Sequence, residues 1–224
     1  DALKQMAANS SVVAVLLEPI QGEGGLNTPD DGYLRGVRAL CDDNGWLMML
    51  DEVQSGMCRT GRWFAYQHEG IVPDVLALAK GLGNGFPIGT CLAKGKAATV
   101  FSAGNHGSTF GGNPLACSVA GAVVDVLDKE EIAQHVEQKG RVLRAALNRS
   151  LESLPQFRTL HGKGLMVGIE LTRPCTALVK QALDRGLLLS VQAEKVVRLL
   201  PPLIIDSDEL DQIVDIVTSL VSEH

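Results

Sequence analysis

Three charged residues stand where apolar runs stop. SVVAVLLEPI ends near Glu18, WLMMLDEVQ at Asp51 and PDVLALAKG at Lys80, a spacing of roughly thirty residues, which is about one strand-helix-strand step. Side chains at the ends of such strands share one rim of a sheet. Lys80 is the single lysine between Gln5 and Ala93, and Gly81, Gly83 and Gly85 follow it closely. An ammonium where a buried strand stops is costly unless something neutralises or uses it. Desolvation favours the neutral amine, which attacks carbonyls and serves as a general base. Schiff-base chemistry is its natural use. Taken singly, Glu18 and Asp51 read as readily as solvated loop charges.

A pyridoxal phosphate site built on Lys80 needs three further groups: an acid for the pyridine nitrogen, donors for the phosphate and a cation for a substrate carboxylate. Asp51 is the best-placed acid, since it ends WLMML, whereas Glu52 points the opposite way along the strand. For the phosphate, HGSTFGGNP at 106–114 offers the Ser108 and Thr109 hydroxyls, glycines and a helix start. Alone, that stretch reads as a turn. Arg198 interrupts the apolar run VVRLLPP and suits bidentate recognition of a carboxylate; strict alternation reads equally as an outward-facing strand residue. Glu23 in QGEGG is flanked by glycines and can pair with an arginine when no carboxylate is bound.

These residues need elements to position them. Continuous apolar runs bounded by turn residues predict strands covered on both faces, hence an α/β layered fold. PDDGYLRGVRALCDDNG predicts a helix that starts near Asp30 or Asp31, buries Leu34, Val37, Leu40 and Cys41, and stops at Gly45. GGNPLACSVAGAVVDVLD predicts a helix capped by Asn113 with Pro114 first; being apolar nearly all round, it should be buried. After about Lys129 the texture becomes charged and amphipathic. EEIAQHVEQKGRVLRAALNRSLESL reads as a surface helix, GLMVGIEL as a half-buried strand with Leu165, Val167, Ile169 and Leu171 inward, and CTALVKQALDRG as a helix closed by Gly186. LLLSV and VVRLLPPLI read as short strands. The last helix follows Ser207 with Ile213, Ile216, Val217 and Leu220 on one stripe. A boundary near 129 therefore separates residues 1–129 from a smaller α+β domain, 130–224.

Composition narrows the function. The 224 residues carry a net charge of -6, and the basic residues form no run, which argues against nucleic acid as a partner. Stretches such as VVAVLL are too short to span a bilayer. Five scattered cysteines (Cys41, Cys58, Cys91, Cys117 and Cys175) make no CxxC pair; they read as buried small hydrophobes in a reducing cytoplasm, with no metal site.

EPIQGEGG, LDEVQSGMCRTG, PDVLALAKGLGNGFPIG and HGSTFGGNPLA, in this order and at these spacings, resemble the class III (subgroup II) aminotransferases, pyridoxal 5'-phosphate enzymes of fold type I. The resemblance is nearest to acetylornithine and succinylornithine aminotransferases. GKGLMVGIEL and VVRLLPPLI extend it through the C-terminal part. It implies that 1–129 is the C-terminal portion of the large mixed-sheet cofactor domain, with a small α+β domain after it. It implies Lys80 as the cofactor-linking lysine and proton shuttle, Asp51 on the pyridine nitrogen, Gln54 on the ring hydroxyl and Val53 on the ring face. Thr109 with Ser108 would reach the phosphate of a neighbouring subunit's cofactor across a homodimer interface. Arg198 would bind the α-carboxylate of glutamate or 2-oxoglutarate, and Glu23 would pair with Arg198 while the amine donor is bound; Glu18 would support the strand ends from behind. The activity implied is transfer of the terminal amino group of N2-acetylornithine or succinylornithine to 2-oxoglutarate, as in arginine biosynthesis. An ornithine or 4-aminobutyrate aminotransferase, or a folded inactive fragment, are the alternatives. The family pattern also has Gly or Ala at Cys58, often Gly at Asn84, and an N-terminal arm and half-domain ahead of residue 1.

Overall fold

The computed structural model describes residues 1–224. The chain divides into two compact units, Asp1–Pro19 with Pro29–Met57 and Phe64–Lys129, and Ile20–Thr28 with Cys58–Trp63 and Glu130–His224. Where the sequence suggests one boundary near 129, two earlier segments also belong to the second unit.

The first unit begins with a short helix, α1 (Ala2–Met6), and is built on a four-stranded sheet in the order β1-β2-β3-β4: β1 (Ala14–Leu17), β2 (Leu47–Asp51), β3 (Val75–Leu78) and β4 (Thr90–Ala93). The first three are parallel, with Leu17 opposite Leu50 and Asp51 opposite Ala77, and β4 runs antiparallel to β3. Parallel neighbours need a crossover, and α2 (Tyr33–Asn44) supplies the one between β1 and β2. Leu34, Val37 and Cys41 recur at helical spacing and are buried, and Leu40 is half-buried. Gly32 rather than an aspartate caps the helix start, and Gly45, at φ 66, ends it by donating to the Cys41 and Asp42 carbonyls. The Arg38 guanidinium reaches Asp74 just before β3 at 2.7 Å, and Asp74 also accepts from the Met48 N–H at 2.8 Å. One carboxylate therefore ties helix and strands together.

Two expectations change here. Burial alternates along β2 and β3, and β4 is exposed throughout, so these strands are not covered on both faces by this chain. The apolar helix α3 (Pro114–Lys129) buries only Ala116, Ala120 and Leu127, while Leu115 and Val126 are exposed. A helix apolar all round is buried only where packing partners exist on every side. Its predicted cap is in place, with Asn113 Oδ1 accepting from the Ala116 N–H at 2.9 Å.

The second unit is an antiparallel sheet in the order β5-β6-β8-β7: β5 (Phe157–Lys163), β6 (Met166–Leu171), β7 (Ser190–Gln192) and β8 (Val196–Leu199). Its helices are α4 (Ile132–Leu151), α5 (Leu178–Asp184) and α6 (Ser207–Glu223). The α4 face Val136, Gly140, Leu143, Leu147 and Leu151 is buried. On α6 the inward stripe is Leu210, Ile213, Val214, Val217, Leu220 and Val221, with Ile216 half-buried. Asp206 caps this helix, and Ser207 is its first residue. The central strand β6 is buried on both faces, because Ile20 and Leu26 cover Met166 from the side away from the alternating Val167, Ile169 and Leu171. The strand expected to be half-buried is thus buried along its length except at Glu170, which is half-buried. The segment 58–63 is held here too: Arg59 donates to the carbonyls of Leu165 and Pro201, and burial lowers its guanidinium pKa to about 10. Gly164, at φ 56, packs directly on this segment, since a Cβ there would fall 2.4 Å from the Thr60 carbonyl carbon.

Candidate active site

In a parallel sheet, ligands bind beyond the carboxyl ends of the strands. Glu18, Asp51 and Lys80 stand at or just after the ends of β1, β2 and β3, which are neighbours in one sheet. Asp51 is the last residue of β2, half-buried, and its Oδ1 accepts from the Val53 N–H at 2.9 Å. That bond folds the chain back and sets Val53 and Gln54 beside the same strand end. Lys80 opens a 3-10 turn, Lys80–Leu82, against which α3 packs. Its φ of 41 puts a non-glycine residue in the left-handed region, a strained conformation of the kind that clusters at functional sites. The turn is tight enough that a Cβ on Gly83 would fall 2.1 Å from the Phe86 carbonyl oxygen. Lys80 is itself exposed, so the desolvation expected from the sequence is not supplied by the chain's own packing.

The remaining candidates fall as follows. Ser108 and Thr109 are exposed in the loop before α3, where Ser108 Oγ accepts from the Gly111 N–H at 3.1 Å. Arg198 on β8 and Glu23 form an ion pair at 2.7 Å, both within the second unit. Cys58 and Asn84, the two departures from the family pattern, have φ of 68 and 44; each stands where the backbone takes the conformation that glycine adopts most easily. Cys41, Cys58 and Cys175 are buried, but Cys91 and Cys117 are exposed, against expectation. The exposed pair lies on β4 and α3, the two elements left uncovered.

From the sequence, Glu52 points the opposite way from Asp51. It does point away from the Asp51 side, but into a pocket of donors. It is 1% exposed, and its two oxygens accept from the backbone N–H groups of Ala65 at 2.6 Å and Tyr66 at 2.9 Å. Burial pushes its pKa up to about 7, outweighing those two donors, which favour the ionised form. The Ser55 hydroxyl is buried beside it without a well-formed hydrogen bond. Glu52 thereby fastens the Asp51–Gln54 turn to the 3-10 segment Ala65–Glu69. Only the buried location distinguishes it, and no sequence signal marks that.

The chemistry of the donor set can be tested against pyridoxal phosphate. An amine, a carboxylate and a carboxamide stand at or just after the carboxyl ends of adjacent parallel strands. The amine sits in a turn with Gly81, Gly83 and Gly85 close after it. These residues fit the group.

The family model described as Aminotransferase class-III matches residues 1–221. The chain belongs to the class-III aminotransferases. These are pyridoxal-phosphate-dependent enzymes, and the α/β fold is that of fold type I. An acetylornithine aminotransferase from Nitrosomonas europaea is 50% identical over 223 residues, covering 99% of this chain and 57% of the relative. Acetylornithine aminotransferase 1 of Bordetella bronchiseptica is 52% identical over 216 residues, covering 96% and 55%. Among solved structures, the ornithine aminotransferase of Toxoplasma gondii superposes with a TM-score of 0.93 at 36% identity, covering 98% of this chain and 53% of that one. The acetylornithine aminotransferase of Elizabethkingia anophelis gives a TM-score of 0.93 at 35% identity, covering 100% and 58%. The chain spans about half the length of the curated relatives it matches.

Proposed function

We propose that the protein carrying this chain transfers the terminal amino group of N2-acetylornithine, or of succinylornithine, to 2-oxoglutarate, yielding a semialdehyde and glutamate. The observation that carries the reading is the placement of Asp51 at the end of β2 and of Lys80 just after the end of the neighbouring parallel strand β3. The names of the relatives near 50% identity support the substrate. Ornithine as donor is the second reading, favoured by the solved ornithine aminotransferase at 36% identity.

Pyridoxal phosphate, when bound, supplies an electron sink for the carbon that loses its proton. Lys80 would be its point of attachment and, once released, the base that moves a proton at the amino-bearing carbon. Asp51 would hold a proton on the pyridine nitrogen, Gln54 would face the ring hydroxyl and Val53 the ring. Ser108 and Thr109 would serve the phosphate of the partner's site in a homodimer. Arg198 would take the α-carboxylate of 2-oxoglutarate or glutamate, and Glu23 would neutralise Arg198 during the amine-donor half of the cycle. Scattered free cysteines favour a reducing cytoplasm. No helix is long and apolar enough to cross a membrane.

The test is glutamate formation from 2-oxoglutarate with acetylornithine, succinylornithine, ornithine or 4-aminobutyrate as donor, together with borohydride reduction and peptide mapping. An acyl-ornithine preference and a phosphopyridoxyl mass on Lys80, absent in Lys80→Ala, are expected. A label on another lysine sinks the role of Lys80, and preference for ornithine replaces the substrate.

A further inference from the structure

Arg198 is held by more than the carboxylate opposite it. It pairs with Ser190 across the β7-β8 hairpin, a register that puts both side chains on one face. Its Nε donates to Ser190 Oγ at 2.9 Å, and its Nη1 donates to the Gly22 carbonyl at 3.0 Å and to Glu23 Oε1 at 2.7 Å. These acceptors differ in mobility. Ser190 is a strand residue with a one-carbon side chain. The Gly22 carbonyl belongs to a loop pinned by Gln21 N–H to Asn27 O at 3.1 Å, by Asn27 Nδ2 to Gly24 O at 2.8 Å, and by the fully buried Leu26. Glu23 is a flexible side chain, 65% exposed, while the arginine side chain is 13% exposed.

A guanidinium is planar, so two bonds to fixed acceptors, one at Nε and one at Nη1, set the plane of the whole fork. A carboxylate arriving in place of Glu23 then meets donors already oriented and loses less freedom on binding. Without Ser190, Nε loses the strand-borne acceptor that fixes its direction. We propose that Ser190 is a positioning residue that holds Arg198 in the plane needed by the dicarboxylate substrate. This rests on the reading of Arg198 as the substrate-carboxylate ligand. The substrate class affected is the oxo-dicarboxylate, and the amine donor, during whose turn Glu23 occupies the arginine, is spared.

The experiment compares Ser190→Ala, Ser190→Thr and Arg198→Ala in the protein carrying this chain. The quantities read are KM for 2-oxoglutarate, KM for the amine donor, kcat, and the dissociation constant of glutarate, an unreactive dicarboxylate, by calorimetry. Loss of one hydrogen bond to a charged group predicts about a tenfold rise in the 2-oxoglutarate KM and in the glutarate dissociation constant for Ser190→Ala. The donor KM and kcat stay within about twofold, and Ser190→Thr, which keeps the oxygen, restores wild-type binding. Ser190→Ala acting equally on both substrates, or leaving glutarate binding unchanged while Arg198→Ala weakens it, overturns the positioning role. If Arg198→Ala itself fails to discriminate between the two substrates, the carboxylate reading of Arg198 falls and this proposal with it.

Discussion

A buried carboxyl one residue from the acid of the candidate site has a measurable signature. Glu52 in the folded chain titrates at about 7 against an ordinary value of 4.5. The native state therefore holds its proton more tightly than the unfolded state. Its contribution to stability is fully present below about pH 4.5 and is lost as the pH rises to about 7, a change on the order of 3 kcal/mol. Glu52→Gln removes this titration, so the stability difference between wild type and variant, followed by denaturant melts from pH 4.5 to 8, should change by that order between pH 4.5 and 7 and then level. A pH-independent difference would mean that Glu52 does not titrate in this window. Legibility at this scale was uneven for a physical reason. Asp51 and Lys80 could be found because a charge ending an apolar run is anomalous in one dimension. Glu52 and Ser190 act through partners 13 and 8 residues away, and contacts made by folding leave no mark in spacing.

Elements were readable where a single pattern decided them. The parallel strands β1, β2 and β3 are short apolar runs with turn residues at both ends, and α4 and α6 carry regular apolar stripes. Strand β5, FRTLHGK, is not legible as a strand because it lies at the sheet edge and carries Arg158, His161 and Lys163. Two of those are supported by Glu170 on the next strand, at 2.9 and 3.0 Å. The start of α6 lies one residue before the position expected from the sequence, since Asp206 and Ser207 both suit a cap. The choice is settled by a reciprocal pair, with Asp206 Oδ1 accepting from the Glu209 N–H at 2.8 Å and Glu209 Oε2 from the Asp206 N–H at 3.1 Å. Asp206→Ala should lower stability by about 1 kcal/mol, seen as a shifted urea midpoint with an unchanged slope. Ser207→Ala, which touches neither bond of this box, should have a smaller effect; the reverse order would place the cap at Ser207.

For the whole molecule, the exposed apolar side chains of the first unit matter most. Leu16 on β1, Leu92 on β4, Leu115 and Val126 on α3, and Phe101 and Phe110 between β4 and α3 are all exposed, and β1 and β4 each end the sheet. Sheet edges and apolar faces of this kind recruit further chain. The 224-residue polypeptide prepared alone should bind a hydrophobic dye and associate with rising concentration. A dye-silent monomer by light scattering would show that these surfaces are satisfied within the chain. The path of the backbone has a different consequence. Ile20–Thr28 and Cys58–Trp63 are integral to the second unit, carrying Leu26 against Met166 and Arg59 against Leu165 and Pro201. A protease cut near residue 129 would therefore not set residues 130–224 free: the two cleavage products would stay joined as a non-covalent complementation pair, and the second, synthesised by itself, would lack two pieces of its own core.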